Sequence, residues 1–150
     1  MTTGNSDFVE LTSFGTLFAF AAALEEAIAS AAKRAAALDG CADHADALAA
    51  CTRLHDKRAK ELARLRRERL NEVVLQRIEG MTHTDYIPAL AEDTSDGAQA
   101  LAALATAEET AARFYEDAGR AAKNVLTGLE RTFSKYARKN RDQATALRPR

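Results

Sequence analysis

Glu25, His55, Arg58 and Glu108 are residues of types that do chemistry, and each interrupts an otherwise apolar stripe. Leu48, Cys51, His55, Arg58, Leu62 and Leu65 follow a 3-4-3-4-3 spacing, which is one face of a helix. Phe14, Phe18, Ala21, Glu25, Ile28, Ala32 and Ala35 repeat the pattern. So do Leu101, Leu104, Glu108, Ala111, Tyr115, Ala118, Ala122 and Val125. A lone charge in an apolar core is costly, so inward charged groups from different helices should meet each other or a metal. Arg58 lies mid-stripe and cannot easily reach solvent. It is expected to form a core ion pair with Glu25 or Glu108, where its planar fork could bond a carboxylate in bidentate fashion.

Other chemistry is scarce. The sequence has no Gly-rich phosphate loop and no supported Ser-His-Asp or Cys-His arrangement. His44 and His83 are expected in solvent, with no i, i+4 histidine partner. Cys41 and Cys51 stand ten residues apart without a second pair, which reads as two reduced structural thiols. Phe114 and Tyr115 read as core aromatics.

The elements that position these residues should all be helices. The chain has 150 residues, the size of one domain. Ala numbers 34 and Leu 16, whereas Val and Ile together number 7. Ala loses no side-chain entropy in a helix and β-branched residues suit strands, so a sheet-based fold is excluded. We expect helices near 12–38, 42–79, 96–120 and 124–147. Thr12 or Ser13, Asp43, and one of Asp93, Ser95 and Asp96 are the N-cap candidates. Gly40 and Gly80 are stop signals, and Gly119 and Gly128 mark a turn between the last two helices. Residues 1–11 are expected to be a flexible N-terminus, 12–147 one bundle domain and 148–150 a tail.

No run of 18 uncharged apolar residues occurs and no basic-then-apolar leader opens the chain, so the expectation is a cytoplasmic protein without a membrane span. The net charge of −1 argues against a dedicated nucleic-acid binder. The charge is uneven. Residues 53–69 hold 8 bases against 3 acids, residues 128–150 hold 7 against 2, and residues 80–110 hold 6 acids and no base. Either acidic and basic segments face each other across the bundle, or a basic face receives an acidic partner.

Two stretches carry a family resemblance. The third helix reads Ala105-Thr-Ala-Glu108-Glu-Thr-Ala-Ala-Arg-Phe114-Tyr115, and the first reads Phe20-Ala-Ala-Ala-Leu-Glu25-Glu-Ala-Ile28. This resembles the repeated helix of the ferritin-like superfamily, its rubrerythrin-like branch above all. In that branch a ligand Glu is followed by a small residue three positions on and by Phe-Tyr six and seven positions on. The resemblance spans about residues 12–147. It implies an up-down four-helix bundle of two helical hairpins, with Glu from helices one and three and Glu-x-x-His from helices two and four.

The Glu-x-x-His half of the pattern departs from the family. By register His55 takes the Glu position and Arg58 the His position, while Ala137 and Asn140 take them in the last helix. The resemblance leaves Glu25, His55 and Glu108 as vestigial metal ligands. Iron or manganese pairs in the family use four carboxylates and two imidazoles, since hard cations need anionic oxygens. An inward guanidinium would further weaken cation binding.

The leading expectation is therefore a non-enzymatic ferritin-like bundle, with no cofactor, acting through a protein partner or self-assembly. The second is a rubrerythrin-like iron oxidase or peroxidase with altered ligands, holding iron or manganese. The third is a helical adaptor binding an acidic partner through the basic face of residues 53–69. A homodimer or larger homo-oligomer is expected as well. Helix two, drawn to Glu79, leaves Leu70, Val73, Val74, Leu75 and Ile78 uncovered by helix one.

Overall fold

The computed structural model describes residues 8–69, 76–123, 125–126 and 128–148. Among these the chain is all-α, with four main helices and no strand beyond one isolated β-bridge. Helix α1 spans Phe14–Ala36, α2 Ala45–Glu68, α3 Gly97–Ala122 and α4 Leu129–Leu147. Short 3-10 turns at Asp39–His44 and His83–Tyr86 lie in the connections. α1 packs most closely on α2 and α3 on α4, while α2 and α4 approach each other least among the neighbouring pairs.

The helix starts follow capping chemistry. Ser13 caps α1 with a reciprocal box: Thr16 N–H donates to Ser13 Oγ at 3.3 Å and Ser13 N–H donates to Thr16 Oγ1 at 3.0 Å. Asp96 caps α3, its Oδ1 accepting from the Ala98 and Gln99 amides. No side chain caps α2 at Asp43. Its N-cap is His44, reached through the 3-10 turn. The last 50 residues form two helices, broken where Gly128 takes the left-handed φ of 89°. Val125, placed on the third stripe by its spacing, lies past the end of α3 and is 45% exposed.

One boundary is corrected. The second helix ends at Glu68, not Glu79. Residues 76–78 instead run antiparallel to residues 12–14: Phe14 N–H donates to Gln76 O at 3.0 Å and Ile78 N–H to Thr12 O at 3.2 Å. Eleven more residues would carry α2 about three turns past α1 with nothing to cover them. Folding back buries Ile78 in the chain's own core. The overhang argument for a homodimer thus fails at Ile78. Leu70, Val73, Val74 and Leu75 lie outside the described residues.

The segment preceding α1 is also tied down sooner than expected, since Phe8 and Leu11 are buried. Phe8 rests against Phe20 with ring centroids 5.2 Å apart, and Phe20 stacks on Phe114 at 5.1 Å. Residues 1–7 and 149–150 lie outside the described residues. By length and composition α1 could cross a bilayer, and 67% of its most apolar stretch is buried inside the bundle.

Two glycines join the helix pairs. A Cβ on Gly97, at the start of α3, would stand 2.7 Å from the backbone carbonyl carbon of Gly40. The α1–α2 connection and the α3 N-terminus therefore touch backbone to backbone. Cys41 Sγ donates to Gly97 O at 3.5 Å across the same seam.

Candidate functional site: a buried histidine between two carboxylates

All four stripe-interrupting residues converge at the centre of the bundle. Glu25 comes from α1, His55 and Arg58 from α2, and Glu108 from α3; α4 adds Asn140. Glu25, His55, Glu108 and Asn140 are fully buried and Arg58 is 2% exposed.

The imidazole sits between the acids. His55 Nδ1 lies 2.5 Å from Glu25 Oε1 and Nε2 lies 2.6 Å from Glu108 Oε2. Where both carboxylates are ionised they only accept, so both ring nitrogens donate and the ring is an imidazolium. The remaining carboxylate oxygens are also engaged. The Tyr115 hydroxyl donates to Glu25 Oε2. Asn140 Nδ2 donates to Glu108 Oε1 at 2.7 Å, and Cys51 Sγ donates to Glu108 Oε2 at 3.2 Å.

Arg58 lies beside this network. Its Nη1 donates to Asn140 Oδ1 at 2.7 Å and its Nη2 to Tyr136 O at 2.6 Å. Nη1 stands 3.8 Å from Glu25 Oε2. The guanidinium carbon lies 4.5 Å from the centroid of the Tyr136 ring and 5.5 Å from that of Tyr115. Arg58 therefore points inward and stands at ion-pair distance from Glu25, as expected, but not in a bidentate bond, and Glu108 has no contact with it among the ion pairs of the described residues. His55, one turn earlier and nearer both acids, has taken the positions the guanidinium would need. The fork goes to an amide and a backbone carbonyl instead. With both carboxylates ionised, the cluster carries two negative and two positive charges.

The electrostatics follow from this packing. Burial alone would raise the Glu25 carboxyl. The charge and hydrogen bond of His55, then Arg58 and the Tyr115 hydroxyl, outweigh it and hold Glu25 below its ordinary range. Burial alone would strip the proton from His55, but the charges of Glu25 and then Glu108 hold it well above the usual histidine value. Burial, with a contribution from Glu108, pushes the Cys51 thiol up to about 11. Tyr115 is raised well above its usual range, by burial first and by Glu25 second.

Sequence reasoning passed over Tyr136 and read Cys51 and Tyr115 as core residues alone. Cys51 is buried and free, but it is also a hydrogen-bond donor to Glu108. The signal was its place one turn before His55 on the same stripe. Tyr115 is a core aromatic that also bonds Glu25. Tyr136 was not singled out, although it lies four residues before Asn140 and thus on the same face. His44 and His83, expected in solvent, are half-buried.

A cluster of three metal-ligand types does exist: donor atoms of Cys51, His55 and Glu108 lie within 4.8 Å of one another. The two-metal centre that the resemblance implies does not fit these residues. Among the described residues only two carboxylates and one imidazole converge, both ring nitrogens are spent on hydrogen bonds, and a guanidinium stands 3.8 Å from one of the carboxylates. Comparison with protein-family models, curated proteins and solved structures finds no match to this chain.

Proposed function

We propose that this chain is a ferritin-like, up-down four-helix bundle that works by binding rather than by catalysis, its centre closed by its own cations in place of metal ions. The observation that carries this reading is His55, bonded through both ring nitrogens to Glu25 and Glu108. Where a metal pair would neutralise the acids, an imidazolium and a guanidinium stand instead. Every carboxylate oxygen has a partner, so the centre presents neither an open coordination position nor an acid or base that faces a substrate. Its role is structural, and the activity belongs to the surface, through a protein partner or a second copy in the cytoplasm.

Elemental analysis of the chain purified without chelator tests this. Iron, manganese and zinc are each expected well below one ion per chain. Two iron or manganese ions per chain would restore the oxidase reading.

A second reading rests on the Cys51, His55 and Glu108 cluster. A single Zn²⁺ there would have His55 oriented by Glu25, the usual carboxylate–histidine–zinc relation. It requires the Cys51 thiol, raised to about 11, to lose its proton in a buried place. One zinc ion per chain, lost in Cys51→Ser, would favour it.

A further inference from the structure

The loosest seam of the bundle is the one between α2 and α4, and it opens into a groove of about 250 Å³. Two helical stripes face each other across it. From α2 come Leu54, Lys57, Arg58, Glu61, Arg64 and Leu65, and from α4 come Thr132, Lys135, Tyr136 and Lys139. Each stripe keeps i, i+3, i+4 or i+7 spacing, so each is one continuous helix edge. Five of these residues are cationic against one acid. That acid, Glu61, is occupied, accepting from the Tyr136 hydroxyl at 2.7 Å and lying 4.0 Å from Lys57 Nζ.

Arg58 lines the groove and connects it to the buried centre. Its side chain is 2% exposed, and its Nε has no hydrogen-bond partner among the described residues. A buried donor without a partner is costly, and the groove beside it is lined by four more cations. The lining is not purely polar. Leu54 and Leu65 are half-buried and the Tyr136 ring forms part of the wall. Leu54 to Leu65 spans about 16 Å of helix at ~1.5 Å per residue. A lone phosphate would satisfy one end of such a groove and leave the apolar positions bare. A short segment carrying several carboxylates and an apolar side chain matches both.

We infer that the α2–α4 groove docks an acidic, amphipathic segment of a partner protein, its carboxylates meeting Lys57, Arg64, Lys135 and Lys139 and its apolar side chains lying against Leu54, Leu65 and Tyr136. The inference rests on the proposed reading of the chain as a binding module and names the chemistry of the partner. The exposed lysines give the attraction and the steering. The leucines and Tyr136 give the register, because apolar contact does not form at an arbitrary offset.

A labelled twelve-residue peptide of repeating Glu-Glu-Leu tests the assignment by fluorescence anisotropy. Saturable binding is expected, weakening as salt is raised from about 50 to 200 mM. Lys135→Glu with Lys139→Glu should weaken it at least tenfold, and because both positions are exposed the circular dichroism spectrum should be unchanged. Leu65→Ser should weaken it several-fold. The assignment is overturned if the peptide fails to saturate, or if the reversals leave its affinity unchanged. It is overturned as well if only tripolyphosphate or a single-stranded oligonucleotide binds. A bound metal at the centre with intact peptide binding would sink the metal-free reading alone; an empty centre without peptide binding would sink this one alone.

Discussion

Among the described residues His55 alone reaches both Glu25 and Glu108 at hydrogen-bonding distance. His55→Leu would leave Glu25 and Glu108 buried with their neutral donors and Arg58 as the nearest cation, and is expected to cost about 3–5 kcal/mol in denaturant unfolding. The raised proton affinity of His55 also fixes the sign of a pH effect. The unfolded chain releases this proton near pH 6.5, whereas the folded chain keeps it to a well higher value. Between those limits the native state holds the extra proton, so stability should fall as pH rises through the window. Glu25, held low, loses its contribution only in acid, as pH drops through its folded value. Unfolding titrations at about pH 6 and pH 8 should show the alkaline decline in the native chain and not in His55→Leu. The convergence of Glu25, His55, Arg58 and Glu108 was legible because each breaks a 3-4 stripe. That His55 rather than Arg58 makes the shortest bonds was not, because spacing along a helix gives the face and leaves unresolved which of two neighbouring cations comes closer to an acid.

At the scale of elements, two helix starts were legible as caps, whereas the end of α2 was not. Ser13 and Asp96 are caps with oxygen atoms that bond specific amides, and both act as the local sequence suggests. The end of α2 was misplaced by eleven residues because nothing local stops it. The chain leaves the helix at Arg69 and returns to pair Gln76 and Ile78 with residues preceding α1, a contact between distant positions. The Gly40–Gly97 seam was equally hidden, since a glycine needed for close approach looks like any turn glycine. Gly97→Ala is expected to destabilise the chain by about 1–3 kcal/mol, because backbone rather than a flexible side chain must give way. A thermal melt of Gly97→Ala matching the native chain would show that the two helix pairs can part at this seam without loss.

Across the whole molecule, the two base-rich stretches are neighbours instead of being set wholly against acidic ones. α2 and α4 lie side by side, and the exposed cations between them repel. Pairs such as Arg141 with Glu116 and Lys33 with Asp56 balance charge elsewhere on the surface. Raising ionic strength from about 10 to 150 mM should therefore stabilise the free chain, by about 1 kcal/mol or less, and a loss of stability over that range would contradict the groove's charge reading. The interior obeys the opposite logic, with its charges matched within a few ångströms. That matching depends on a proton at each nitrogen of one ring, and nitrogen-15 NMR of the imidazole observes it directly. The account predicts that at about pH 8, where free histidine is neutral, both ring nitrogens of His55 still carry protons and show imidazolium shifts. A neutral ring, or a ring nitrogen bound to metal, would contradict it.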